Sequence, residues 1–264
     1  MKKNLHRVSC GRTVGRSHAA TLTPCQDFVS VYRSSTMACI ALADGAGSRP
    51  KSEHGAEAVV REVLRVLSSE FDDFYLRCCS EPNELGKFLH QRLVTALCNE
   101  AARQACDVDA LASTLLFVAH KDNRFIAGHI GDGVIAKVDE TGTPTTLSFP
   151  ENGEYANTTV FVTDIKAAAH LRLYCGETKP NFLGFVIMSD GCAESLYDKK
   201  LAQPAAAIAK LLTWNKDLSR PKIKSILAGN LDGAFSKKST DDCSLALMSI
   251  NDASHAEAEF SKNG

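Results

Sequence analysis

The sequence predicts an α+β fold in which two antiparallel sheets pack face to face and helix pairs cover their outer surfaces. Three observations carry this. Strand-like runs come first, then two amphipathic helices, then strands and helices again, an order unlike the strict alternation of a doubly wound parallel sheet. Short turns separate successive strand-like runs, which favours antiparallel pairing. Two runs, residues 37–43 and 182–188, are apolar almost without a break. A strand covered by a second sheet on one face and by a helix on the other needs that pattern.

The elements follow in order. Strands are expected at residues 7–15, 28–32 and 37–43, the last reading Met37-Ala38-Cys39-Ile40-Ala41-Leu42-Ala43. Val59, Val60, Val63, Leu64, Leu67, Phe71 and Phe74 then recur at intervals of three and four, while Arg61, Glu62 and Arg65 take the opposite face of an amphipathic helix. Leu89, Leu93, Leu97, Ala101 and Ala105 step by four and mark a second helix. A meander is expected next: a strand at 114–119, a turn at Lys121-Asp122-Asn123, a strand at 124–130, a turn at Asp132-Gly133, a strand at 134–138 and a turn at Thr141-Gly142. Further strands fall at 171–175 and 182–188, helices at about 202–214 and 219–231, and a last strand at 244–250. No repeat or Pro/Gly/Ser-rich linker interrupts the chain, so residues 5–250 read as one domain and residues 251–264 as a polar tail.

Composition narrows the function classes. The 264 residues hold 30 Lys+Arg against 31 Asp+Glu, a formal charge of -1. A dedicated nucleic-acid binder carries a basic excess, and an acidic disordered tail the opposite; neither fits. No apolar run approaches the roughly 20 residues of a membrane span, and Met1-Lys2-Lys3-Asn4-Leu5-His6-Arg7 lacks the apolar stretch of a secretory signal. The expectation is a cytoplasmic monomer with no membrane or nucleic-acid partner. Its 10 cysteines show no C-x-x-C spacing and mostly sit in apolar runs such as Ala38-Cys39-Ile40-Ala41. Buried free thiols in a reducing compartment are expected, not disulfides or a zinc site, with Cys78-Cys79 ending a helix.

The aspartates are anomalous. Asp-Gly occurs four times, at Asp44, Asp132, Asp190 and Asp232. Any one pair is explained as a hairpin turn, and Asp232-Gly233 is left there because it follows a helix. In the other three the Asp terminates an apolar strand: Ile40-Ala41-Leu42-Ala43-Asp44, Ile126-Ala127-Gly128-His129-Ile130-Gly131-Asp132, and Val186-Ile187-Met188-Ser189-Asp190. Asp27 and Asp241-Asp242 stand just before strands. If these strand ends share one edge of the sandwich, five carboxylates converge, and mutual repulsion demands either bound cations or raised pKa values. Oxygen ligands without His or Cys point to magnesium or manganese, held largely through waters, and the carbonyl of Gly45 can approach a metal closely.

In order, Gly15-Arg16-Ser17-His18, Cys25-Gln26-Asp27, Ala43-Asp44-Gly45-Ala46-Gly47-Ser48, Ile130-Gly131-Asp132-Gly133, Met188-Ser189-Asp190-Gly191 and Asp241-Asp242-Cys243 resemble the PPM, or type 2C, metal-dependent Ser/Thr protein phosphatases, in their compact bacterial form. The resemblance runs from Gly15 to Ile250. It implies a four-layer α-β-β-α sandwich with a binuclear manganese or magnesium centre at one end. In that scheme Asp44 bridges both metals, Asp27 and the Gly45 carbonyl help hold one, Asp190 and Asp242 the other, and Asp132 a looser third. Asp242 is preferred to Asp241 because Cys243 stands where the family usually has Asn after its ligand, which leaves Asp241 as a neighbour in support. Asp44 and Asp190 are then catalytic through a metal-bound water, with no side-chain nucleophile. Phosphoprotein substrates, products of a Ser/Thr kinase, are implied.

Two departures from the family pattern stand out. Ala46 occupies the place of a His discussed as a general acid in animal members. Thr23 occupies the usual position of a phosphate-contacting Arg, which leaves Arg16 and His18 as candidates, His18 being equally suited to organising its loop by hydrogen bonds. The segment 149–163, with Pro150, Asn152, Gly153 and Asn157, is a substrate-facing loop by its composition. Two rival readings remain. Gly45-Ala46-Gly47-Ser48-Arg49-Pro50-Lys51-Ser52 misses a nucleotide-binding P-loop by one residue, Pro50, which has no amide N–H to offer a phosphate. A non-catalytic interaction module of the same family would have lost metal ligands, and here all five aspartate positions are filled.

Overall fold

Alternate residues of the same strands feed three apolar layers, and these layers organise the molecule, which a computed structural model describes over residues 5–151 and 159–251. In chain order the first half contains β1 (His6–Thr13), α1 (Arg16–Thr21), β2 (Phe28–Arg33), β3 (Met37–Ala43), α2 (Ser52–Ser80), α3 (Pro82–Gln104), β4 (Leu115–Lys121) and β5 (Arg124–Ile130). There follow β6 (Val134–Val138), β7 (Pro144–Ser148), α4 (Ala167–His170), β8 (Arg172–Glu177), β9 (Gly184–Met188) and α5 (Asp190–Leu196). The two-residue strands β10 (Tyr197–Asp198) and β11 (Gln203–Pro204), α6 (Ala207–Asp217), α7 (Arg220–Asn230), a π-helical turn at Leu231–Phe235 and β12 (Cys243–Ile250) complete the chain.

One five-stranded sheet has the order β1-β12-β9-β6-β7 and the other β2-β3-β4-β5-β8, with antiparallel pairing throughout. On β3, Met37, Cys39, Ala41 and Ala43 pack under α2 and α3, whereas Ala38, Ile40 and Leu42 meet the opposite sheet. On β9, Val186 and Met188 face the layer of α6 and α7, and Phe185 and Ile187 face the inter-sheet core. This is the four-layer α-β-β-α sandwich, and the continuous apolar runs have the predicted cause: both faces of each central strand are covered.

The differences from expectation are local. The first helix extends beyond its periodic stretch and breaks at Glu70, where φ is -124° and ψ 21°. The helix expected from 202 starts at Ala207, because Gln203–Pro204 pair with Tyr197–Asp198. The short elements α1, α4, α5 and β7 carry too few residues for a periodic signal. The meander is corrected: β5 pairs with β4 and β8, while β6 pairs with β7 and β9. Asp132-Gly133 is therefore no hairpin turn but the crossing from one sheet to the other, entered through Gly131 at φ +112°, a backbone that glycine adopts readily. Asp232-Gly233 lies in the π turn after α7, where Asp232 accepts a hydrogen bond from the Thr13 hydroxyl at 2.6 Å. The cysteines are all free, but only Cys39, Cys78, Cys192 and Cys243 are buried, and Cys79 and Cys98 are exposed. Cys78 and Cys79 do end a helix. The tail beyond Asn251 and residues 152–158 of the substrate-facing segment, with Asn152, Gly153 and Asn157, lie outside the described residues. No helix among those described is long and apolar enough to cross a membrane.

Candidate active site

Strand register brings the aspartates to one end. Phe28 of β2 faces Ala43 of β3, so Asp27 and Asp44, one residue beyond each, leave that sheet side by side. In the other sheet Met188 of β9 lies between Val134 of β6 and Leu245 of β12, so Asp132, Asp190 and Asp241-Asp242 emerge together. The chain around Asp44 is locked in place: its N–H donates to the Thr114 hydroxyl at 2.9 Å, its carbonyl accepts from the Thr114 N–H at 2.8 Å, and the Gly45 N–H donates to the Gln26 carbonyl at 3.2 Å.

These carboxylates are crowded and under-satisfied. Asp27 is fully buried, and neither of its oxygens has a hydrogen-bond partner; Oδ1 of Asp190 is likewise buried and orphaned. Burial pushes the Asp27 carboxyl up, the neighbouring Ser244 and Ser189 hydroxyls pull the other way, and the charges of Asp242 and Asp190 push it further. Asp44 stands well above the usual carboxylate range, through burial and then through Asp27, Asp190, Asp241 and Asp132. The strongest neighbouring charges acting on Asp44 are thus all carboxylates. Asp190 is raised by burial and by Asp132 and Asp241, against which its contact with Asp44 works. Orphaned carboxylate oxygens and no soft ligand among them form a donor set that suits hard divalent cations.

The adjacent aspartates of the last strand do different work. Asp242 accepts hydrogen bonds from the Gly15 N–H at 2.7 Å and the Gln26 N–H at 2.6 Å, and His18 Nδ1 lies 3.0 Å from it. Its oxygens are taken up in pinning the 15–26 loop to the sheet end. Asp241 is exposed and acts on Asp44 and Asp190. Both neighbours therefore act on the cluster, Asp241 on Asp44 and Asp190 and Asp242 on Asp27, and Asp242 also supports the loop. Ligand atoms of His18, Asp241 and Asp242 all lie within 4.8 Å of one another. His18 accordingly organises its loop. The exposed Arg16 spans to the carbonyls of Ser239 and Lys237 at 3.3 and 3.4 Å, long contacts that hold it at the rim.

The P-loop reading fails on the backbone. The N–H groups of Gly45, Ala46, Arg49 and Lys51 donate to carbonyls of Gln26, Ala112, Ala46 and Ala110, so they are not free to cradle a phosphate.

The chain matches the family described as protein phosphatase 2C over residues 14–228. It belongs to the protein phosphatase 2C family. As a 2C phosphatase it is an enzyme, a hydrolase of the Ser/Thr protein phosphatase class, and its family is metal-dependent. Serine/threonine-protein phosphatase 3 of Escherichia coli (strain K12) is 29% identical over 174 residues, covering 64% of this chain and 67% of that protein. A Streptococcus agalactiae serine/threonine phosphatase structure superposes with a TM-score of 0.62 at 17% identity, covering 93% of this chain and 100% of that one. The Staphylococcus aureus phosphatase Stp1 gives 0.63 at 13%, covering 93% and 95%. At those identities the two structures speak for the fold.

Several residues of this 2C phosphatase site leave no mark in the sequence. Thr114, Ser189 and Ser244 act on Asp44 and Asp27, but a hydroxyl residue beside a strand end has no distinguishing pattern. Gly191 is visible there only as the partner of Asp190; a Cβ at this position would come within 2.1 Å of the Asp242 carbonyl, so the close approach of the two strand ends requires glycine. Beside the carboxylates a cleft is lined by Thr23, Pro24, Gln26, Ser48, Arg49 and Glu53.

Proposed function

We propose that this enzyme hydrolyses phosphoserine and phosphothreonine in cytoplasmic phosphoproteins, the products of a Ser/Thr kinase, at a centre of two or three manganese or magnesium ions. The orphaned oxygens of Asp27 and Asp190 carry this reading, because crowded buried carboxylates with no cation beside them require compensating charge. Asp27, Asp44, the Gly45 carbonyl, Asp132, Asp190 and Asp241 would hold the ions. When bound, such ions lower the pKa of a water so that hydroxide exists near neutral pH, and neutralise phosphate oxygens.

The chain's own residues do the positioning. Asp44 sits between the two sheets' ligand sets, on a backbone fixed by Thr114. Asp242 holds the 15–26 loop, and through the Gln26 N–H it sets the place of Asp27. The Arg16 guanidinium, exposed and held by long contacts, exchanges carbonyls for a substrate phosphate at small cost. Ala46 offers no proton, so no side chain at that position serves the leaving group. The cleft beside Gln26 receives residues flanking the phosphorylated one. The segment expected to face substrate is anchored at the same corner: the Glu151 N–H donates to the Gly131 carbonyl at 3.0 Å and the Thr159 hydroxyl to Asp132 at 2.6 Å.

Hydrolysis of p-nitrophenyl phosphate by the full chain, with and without manganese, tests the proposal beside Asp44→Asn and Asp190→Asn. Turnover should require the metal and collapse in both variants. Metal-independent turnover, or full activity in both, overturns it. Release of phosphate from phosphoserine and phosphothreonine peptides then separates a protein phosphatase from a small-molecule one.

A further inference from the structure

Away from the carboxylates, two thiols distant in sequence meet. Cys79, near the end of α2, places its Sγ 2.7 Å from Sγ of Cys175 on β8. A disulfide needs about 2.05 Å, so a small side-chain rotation closes the pair. The encounter is built by the surrounding structure. After the break at Glu70, α2 is held to the sheet by buried Phe71 and Phe74, and Asp72 pairs with Arg124 at 2.8 Å and with Lys121. Arg124 also lies over the Tyr75 ring, 5.1 Å from its centroid. Cys79 is exposed, Cys175 partly covered and Cys78 buried.

We propose that Cys79 and Cys175 are a peroxide-sensitive dithiol that closes to a disulfide and staples α2 to the edge strand β8. The Cys79 thiolate attacks hydrogen peroxide; an S–O bond forms, the O–O bond breaks, and one water leaves. Cys175 sulfur then attacks the Cys79 sulfenic acid; the S–S bond forms, the S–O bond breaks, and its oxygen leaves as a second water with the Cys175 proton. Two thiols lose two electrons and one peroxide gains them. The order follows from exposure and from the Cys175 thiol, which burial pushes up to about 11. A dithiol reductant reverses the bond by exchange.

The test treats the reduced full chain with hydrogen peroxide, blocks remaining thiols with iodoacetamide and maps peptides without reduction. A Cys79–Cys175 link within one chain is expected, with a melting temperature several degrees above that of the reduced protein. Cys78 and Cys79 share a tryptic peptide, so Cys78→Ser should keep the link and the exposed-site variant Cys79→Ser should lose it. Cys175→Ser should leave a sulfenic acid on Cys79 that dimedone traps. Both thiols recovered as alkylated, a link persisting in Cys79→Ser, or a link between two chains each overturns the proposal.

Discussion

The two ends of the sandwich both bury titratable side chains, and they solve the problem oppositely. At the end away from the carboxylates His6 and His120 are almost wholly buried, with His6 Nε2 2.7 Å from His120 Nδ1 and His120 Nε2 2.9 Å from the Thr178 hydroxyl. The Asn123 carbonyl, 3.3 Å from that hydroxyl, can only accept. Thr178 therefore donates to it and accepts from His120 Nε2–H, and His120 Nδ1 accepts from His6 Nε2–H. The bonds from His6 Nε2 through His120 to Thr178 are all made with both rings neutral, and His6 Nδ1 is left buried without a partner. Burial lowers His6 to about 4 and His120 to about 3, helped by Arg33 and by the other ring respectively. At the carboxylate end Asp242 and Asp132 find internal donors, but Asp27 and Oδ1 of Asp190 do not. Histidines can shed their charge near neutral pH and still hydrogen-bond, whereas crowded carboxylates must either hold protons or find cations. Neutral rings that bond one another need nothing from outside, whereas crowded carboxylates mark a place for something from solution.

Four measurements would break or sharpen that contrast. The largest effect is on turnover: Asp44→Asn should cost at least about 10²-fold in manganese-dependent activity. The same change removes a repelled buried charge, so the melting temperature of the metal-free protein should hold or rise. Next, His120→Ala should destabilise by about 2–4 kcal/mol, since it opens a cavity and strands the His6 Nε2–H, while the folded fraction keeps its turnover. Denaturant unfolding and assay of the same samples check both halves. Equal losses of activity per folded molecule in the two variants would erase the distinction between the ends.

The pH dependence comes third. As pH falls below the ordinary histidine value of 6.5, the unfolded chain takes up protons that buried His6 and His120 refuse. Stability is thus lost from pH 6.5 down to about 4, at up to about 1.4 kcal/mol per unit for each ring. The raised carboxyls of Asp27, Asp44 and Asp190 have the opposite sign. Their contribution in the metal-free protein is complete below the ordinary carboxylate range and disappears as pH rises through their folded values. Manganese should therefore raise the melting temperature more at pH 8 than at pH 5, and an equal shift at both would count against a carboxylate centre. The smallest effect separates the adjacent pair: Asp241→Asn should weaken manganese activation directly, whereas Asp242→Asn should chiefly loosen the 15–26 loop. Manganese titration of activity and proteolysis of that loop distinguish the two.

Much of this architecture is legible in the order of residues. The period of three and four over Val59 to Phe74 is enough for α2, because a helix with one buried stripe leaves that trace. The unbroken apolar strands at 37–43 and 182–188 announce two covered faces, and the repeated Asp after such strands announces the site. Other features leave no trace. Asp132-Gly133 has the chemistry of a hairpin turn, yet it joins two sheets, since turn preference concerns two residues and pairing concerns whole strands. The meeting of Cys79 with Cys175 depends on how α2 lies after Glu70, which no local pattern encodes.

By itself, then, the sequence determined the layers and put the aspartates at strand ends, because burial and strand-end placement are written in local order, while the family showed in the resemblance of its ordered motifs. Only the tertiary structure decided which neighbour does which task. Asp241 and Asp242 are chemically identical and adjacent, and strand alternation alone cannot say which one a loop from the other end of the chain will occupy. That choice belongs to the Gly15 and Gln26 amides, which reach Asp242 only after β1, β2 and β12 have come together.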